Sequence, residues 1–377
     1  MKERYTFEAN RLNMLTEIAL STGYASFFLW LIGRSSFFRD SVISNRNFQW
    51  LFIIKLIAGF GLYLVYTKYY TERKYADIFR YYDDSKFIYD SLFSHPYDFF
   101  RMMTGYHSTD ADLWQYYNGM NNWFNSELIF NDTRTMIRLT CLFRFIAAGT
   151  YYPLSIFFCF LAFIGLTAFY KTAVAEFKRN HVLIAAGLFL TPSILLWTSG
   201  VIKEAFLVFA LGTMIYMLRK IAVKEGRPLV NGIATVLCMF FLLNIKSYML
   251  FAMVPGMLTW YMMKSRVKSE DDEITFGNKN TYRKLGTVIA PFMIVYIIYF
   301  AMLYQFSPLF THHSVPELMV NKQIEFFTLA KTENAGSLVA IPVLQPNGYS
   351  LAVNAPRAVL FTLTRPVIGE TKNPMML

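Results

Sequence analysis

The chain has 377 residues, 55% of them apolar and 18% aromatic, with a net charge of +11 and a mean hydropathy of +0.33. So much apolar surface against so few charges excludes an ordinary soluble domain and points to an all-α polytopic membrane protein. The Lys and Arg residues sit in short clusters beside apolar runs rather than on one aromatic-laced patch, which argues against nucleic acid as a partner and for topology signals and contacts with anionic lipid.

A helix needs roughly 20 apolar residues to cross a bilayer. Windows of that kind run near residues 12–33, 48–66, 151–170, 182–197, 204–218, 229–245, 248–263 and 285–305, about eight in all. The first lacks a clean basic leader and a small-residue cleavage site, so it is expected to stay in the protein. The connections 34–47, 171–181, 219–228 and 264–284 carry 3, 3, 4 and 6 Lys/Arg and are assigned to the cytoplasm. Alternation then puts residues 67–136 and the tail from 306 outside. It also puts the N-terminus outside, against the sign of Lys2, Arg4 and Arg11, which leaves an interfacial position as the alternative for the first window. The expected divisions are 1–66, 67–150, 151–305 and 306–377. The chain is expected to be a multi-pass membrane protein.

Residues 67–136 reverse the charge of the rest, with seven Lys/Arg against ten Asp/Glu. Aromatic and aliphatic residues at helical spacing predict a helix over 75–93, and a second amphipathic stretch, 135–148, is expected along the membrane surface. Carboxylates in such a loop can take a proton from an incoming hydroxyl or hold a divalent cation, which is the one cofactor in view. Asp83, Asp84, Asp110 and Asp112 compete with a reading as a solvated face, whereas Asp77 stands close to the membrane plane. Among the spans, Glu17 is expected to face a neighbouring helix and Lys55 to extend toward the cytoplasmic interface. Cys141, Cys159 and Cys238 all fall in apolar stretches without metal-ligand spacing and read as small core residues.

The sharpest motif runs from Thr191 to Glu204. Pro192 interrupts helical hydrogen bonding, Gly200 loosens the chain, and Lys203 with Glu204 brings charge to a depth where isolated charge is costly. The windows on either side are short, so residues 198–203 are expected below the headgroups in a protein-lined cavity. Asn244, Lys246 and Ser247 interrupt a second pair of short windows. Further exterior cations are Arg138, Arg357 and Arg365, and a lipid-linked phosphate at the membrane surface would need such a set. In the tail, Gln345-Pro346-Asn347-Gly348 between 337–344 and 349–353 predicts a small hairpin. No phosphate-binding loop for ATP occurs, and His312-His313 lacks metal-site spacing.

The order of these features resembles the GT-C superfamily of integral-membrane glycosyltransferases, and membrane proteins of Bacteroidota surface-polysaccharide systems. The matching positions are Asp77 and Tyr81 in the first outer loop, residues 131–138, residues 192–204, and residues 355–366. The resemblance implies a polyprenyl-phosphate-linked sugar donor, an acidic residue of the first outer loop as base, and an extracytoplasmic acceptor. On it, Asp77 becomes the catalytic carboxylate, with Glu204 the second candidate. Lys203, Arg138 and Arg365 become candidates for the donor phosphate, and Tyr81, Asp83, Asp84, Lys246 and Arg357 complete the candidate substrate site. The sequence departs from the family pattern in placing the acidic loop after the second span. The alternative functions are a transporter or flippase of a lipid-linked glycan and a non-catalytic subunit of an envelope complex.

Overall fold

The computed structural model describes residues 2–40, 42–69, 73, 76–121, 132–177, 180–264, 289–302, 305, 314–332 and 341–364; at helix positions 2–13, 77, 263, 264, 315, 329, 332 and 363 the backbone alone is described. Among the described residues all regular structure is helical and no strand occurs. The chain divides into two compact units, Met1–Phe251 and Ala252–Leu377.

In the first unit, α1 (Lys2–Arg34) and α2 (Asn45–Leu64) are joined by a 3-10 turn, and α2 runs on through a π-helical turn at Val65–Tyr69. The loop lobe follows as α3 (Asp77–Ser94), α4 (Pro96–Thr104), α5 (Trp114–Tyr117) and α6 (Asp132–Ile146). Then come α7 (Tyr151–Phe177), the short α8 (His181–Phe189) and α9 (Pro192–Trp197), α10 (Lys203–Ala222) and α11 (Pro228–Lys264), which continues into the second unit. Among the described residues five segments are long and apolar enough to cross a membrane: Met14–Arg34, Asn45–Tyr69, Tyr151–Phe177, Lys203–Ala222 and Pro228–Met262. The remaining expected windows take other forms. Window 182–197 is split into α8 and α9, because Pro192 supplies no amide hydrogen and starts a new helix at its first turn. Windows 229–245 and 248–263 both lie in α11, separated by the non-helical backbone of Lys246 (φ −148°, ψ 75°). Window 285–305 is described as the shorter apolar helix α12 (Ile289–Met302).

The spans pack around α7. Its Phe160 stacks on Phe28 of α1 at a centroid distance of 4.0 Å, while Phe48 of α2 meets Tyr170 of α7 and Phe189 of α8 edge-on at 5.7 and 5.8 Å. Between α7 and α10 the backbones touch: a Cβ on Gly212 would stand 2.1 Å from the carbonyl oxygen of Gly165. Small residues at a crossing let helices approach this closely when lipid supplies no hydrophobic drive between them.

Two ends are defined by polar contacts. At one, Asp40 of the α1–α2 connection accepts hydrogen bonds from Tyr170 and pairs with His181, and Arg219 pairs with Glu176 at 2.9 Å. Three of the basic connections therefore meet at one end. At the other, Glu17 accepts the backbone N–H of Tyr152 at 3.0 Å and so satisfies part of the α7 N-terminus, as expected for a glutamate facing a neighbouring helix. The acidic loop is attached at this end.

The lobe corrects one expectation. The helix over 75–93 is present as α3, but most of α6 does not lie along a surface: Thr133 through Cys141 are all buried, packed against α3. Amphipathicity alone cannot distinguish burial against a protein helix from burial in lipid.

In the second unit, α13 (Val315–Thr332) starts with a capping box, the Ser314 N–H donating to Glu317 Oε2 and the Glu317 N–H to Ser314 Oγ. The tail hairpin is not formed. Residues 349–353 begin helix α14 (Gly348–Thr364), and Asn347 caps it by accepting the Ser350 N–H at 2.7 Å. Asn-Gly serves here as a helix start, a role Asn fills as readily as a turn. Residues 337–340 lie outside the described residues.

Candidate functional site

The site is built from the interruption between α9 and α10. Residues 198–202 are all buried by protein rather than lining open space. Lys55 of α2, only 1% exposed, donates to Thr198 Oγ1 and, at 3.1 Å, to Ser199 Oγ. Those hydroxyls donate in turn to the carbonyls of Ile194 and Leu195, each at 2.6 Å, so the last turn of α9 is capped inside the membrane region. This corrects the expectation that Lys55 extends to the interface. A charge at that depth is costly, and two acceptor oxygens at the break offset the cost where a snorkelling chain would have reached water. Gly59 permits the contact, since a Cβ there would stand 2.6 Å from the Ser199 carbonyl oxygen.

The break delivers Lys203 to the first position of α10. Its ammonium pairs with Asp132, the first residue of α6, and lies 5.6 Å from the ring centre of Tyr81. Burial pushes the Asp132 carboxyl up, but the hydrogen bond and charge of Lys203 outweigh this and hold it below the usual carboxylate range. Lys203 is 18% exposed and Asp132 47%, so the pair is open on the carboxylate side. Next to it Glu204 pairs with Lys246 at 3.0 Å, at the interruption of α11.

The first turn of α3 leans on the same break. A Cβ on Gly200 would meet Ile78 Cγ2 at 3.3 Å, and Tyr81 is the α3 residue above Lys203. Asp77 is the first residue of α3, so its backbone stands one turn from Tyr81. Asp77, Tyr81, Lys203, Glu204 and Lys246 are thus brought to one end of the bundle, with Asp132 among them.

Other expected site residues go elsewhere. Asp83 is held bidentately by Arg73 at 2.7 and 2.8 Å, and Arg73 also covers the Phe79 ring. Asp84 is completely buried and accepts the Asn121 backbone N–H at 2.7 Å. Arg138 is buried and ties α6 to α4 by donating Nε to the Met102 carbonyl at 2.7 Å; burial pulls its guanidinium down to about 10. It stands nearly two turns along α6 from Asp132. Asp110 and Asp112 both engage the buried Arg101, which also reaches Asp98 and the His107 carbonyl. Among the described residues no group of three or more His, Cys, Asp or Glu gathers as a metal site. Arg357 belongs to the second unit, its guanidinium 5.1 Å from the Phe361 ring centre, and Arg365 lies outside the described residues. All three cysteines are buried and free, as expected for core residues.

Sequence reasoning missed Asp132 and the partners of Lys55. The only local sign of Asp132 was its place in residues 131–138, at the start of an amphipathic stretch; the pairing itself spans 71 residues of chain. No family model, curated protein or solved structure matches this chain, so the site stands on its geometry.

Proposed function

We propose that the chain is a membrane glycosyltransferase that moves a sugar from a polyprenyl-phosphate-linked donor to an extracytoplasmic glycan, lipid or protein acceptor, at the bacterial inner membrane. The observation that carries this reading is Lys203, half-sheltered at the N-terminus of α10 beside the partly open carboxylate of Asp132 and beneath the first turns of α3. A helix N-terminus and an ammonium together favour an anionic oxygen, and both are stronger where water is scarce.

In this reading the acceptor hydroxyl attacks the anomeric carbon and gives its proton to the Asp77 carboxylate. The bond from that carbon to the phosphate oxygen breaks, its electron pair leaves with the lipid phosphate, and Lys203 stabilises the charge that develops there. Asp132 holds Lys203 in place, and Glu204 is anchored by Lys246 rather than serving as a second base. An apolar cavity of about 350 Å³ between α1, α2 and α7, bordered by Leu56, Gly59 and Phe60, suits part of an isoprenoid tail.

The test is sugar transfer from a polyprenyl-phosphate donor by the full-length protein and its Asp77→Ala and Lys203→Ala variants. Each substitution is expected to lower turnover by about 100-fold or more, the usual scale for a general base or an oxyanion partner. Unchanged turnover in both would sink the assignment, and glycan movement across liposomes without a covalent product would identify a carrier instead.

A further inference from the structure

The loop lobe presents one apolar corner that the transfer reading does not use. At the end of α3 and on α4, Phe93, Tyr97 and Phe100 are 70%, 63% and 53% exposed. At the end of α6, Leu142, Phe145 and Ile146 are also exposed. The two groups are continuous through ring contacts: Tyr89 meets Phe93 at 5.3 Å and Phe145 at 4.7 Å, and Phe99 meets Phe145 edge-on at 6.0 Å. Six large apolar side chains exposed together on a lobe otherwise tied by ion pairs mark an interaction surface.

Its depth is set by contacts with the spans. The Ile146 carbonyl accepts the Tyr24 hydroxyl at 2.6 Å, and Tyr24 lies in an apolar helix whose nearest basic residues on either side are Arg11 and Arg34. Tyr24 is therefore about 15 Å or more along the helix from either of them, which puts the last turn of α6 beside the apolar stretch of α1. Phe143, on the other side of that turn, packs on Phe157 and Phe158 of α7.

The backbone there is arranged as lipid requires. Non-spanning chain tolerates membrane depth only if its carbonyls are satisfied by protein. The Arg144 carbonyl accepts the Gly149 N–H at 3.0 Å, the Ala147 carbonyl accepts the Thr150 N–H at 3.0 Å and its hydroxyl at 2.6 Å, and the Gly149 carbonyl accepts the Tyr82 hydroxyl at 2.6 Å. Arg144 itself is buried, donating to the Tyr82 carbonyl at 2.6 Å and to Ser85, so its charge stays away from the exposed face.

We propose that this corner is seated in the bilayer that the spans cross, with the end of α6 dipping into hydrocarbon and the α3–α4 corner resting in the headgroup zone. The occupant is lipid because the end of α6 touches α1 through Ile146 and α7 through Phe143, two helices long and apolar enough to cross a membrane, and the face carries the Tyr, Phe and Leu composition of a membrane interface. A lobe held this way cannot swing away from the membrane, which fixes the height of α3 above Lys203. The proposal does not depend on the transferase reading, since its readout is depth rather than turnover.

The test places single cysteines at Tyr97, Phe100 and Leu142, with Lys86 as an exposed control on α3, in the full-length protein reconstituted into phosphatidylethanolamine–phosphatidylglycerol bilayers. The native cysteines are buried and leave these positions as the labelled ones. Each is given a nitroxide, and collisions with oxygen, which concentrates in lipid, are compared with collisions with a water-soluble nickel chelate. The oxygen-to-nickel ratio is expected to exceed that of Lys86→Cys at least about threefold at Tyr97→Cys and Phe100→Cys, and by more at Leu142→Cys. Ratios equal to the control at all three would put the face in water, and immobile labels reached by neither reagent would put it against protein; either result overturns the proposal. Should Leu142→Cys fail to fold, the two α4 positions decide it alone.

Discussion

Asp132 and Lys203 illustrate what a single pair does and how little of it is local. Lys203 stood out in the sequence because charge at the mouth of a short apolar window needs a reason. Asp132 did not, because a carboxylate at a helix start is most often a plain N-terminal preference. Pairing makes the two a unit whose pH dependence has a definite sign. Lys203 holds the Asp132 carboxyl below its unfolded value of about 3.8, so the pair's contribution is fully present above that pH and is lost as pH falls below it. Because the carboxylate is nearly half exposed, the contribution at neutral pH is about 0.2–1 kcal/mol. Thermal unfolding of wild type and Asp132→Asn should therefore differ slightly at pH 7 and converge only as pH falls well below 3.8. A gap that persists or widens on acidification would contradict the pairing.

At the scale of elements, the broken segment from α8 to α10 is the informative one. Pro192, Gly200 and the short apolar windows made the interruption readable, since each acts through the backbone of its own segment. The cavity expected around it is instead filled by α2, α3 and α7, and the ammonium of Lys55 is the internal partner of the break. Lys55→Met should remove both hydrogen bonds at Thr198 and Ser199 and lower stability by about 1–3 kcal/mol, read as a fall in unfolding temperature in detergent. Lys68→Met, at the end of the same span, serves as the comparison and is expected to change little. Equal effects would mean that Lys55 is only a snorkelling lysine. Other elements show where pattern fails: α6 and a surface-lying helix share one periodicity, and Asn347-Gly348 starts a helix in place of turning a hairpin.

For the molecule as a whole, the contacts sort into two ends, with Asp40, Glu176, His181 and Arg219 at one and Glu17, Asp132 and Lys203 at the other. By the positive-inside rule, the basic connections predict that the first end is cytoplasmic. Cysteine at Lys224, between α10 and α11, should react with a membrane-impermeant maleimide only after cells are opened, whereas cysteine at Lys86 should react at least about tenfold faster in intact cells. The reverse pattern would invert the topology. Composition and apolar run length by themselves determined the class, an all-helical chain with several membrane-spanning helices, because the cost of exposing backbone to lipid leaves helices as the available solution for such runs. The break and its ionisable residues were equally readable. Which charges meet was decided by tertiary structure alone. Lys203 with Asp132, Lys55 with Thr198 and Ser199, and Asp84 with Asn121 join residues far apart in sequence, and no periodicity within a segment records its partner across the bundle.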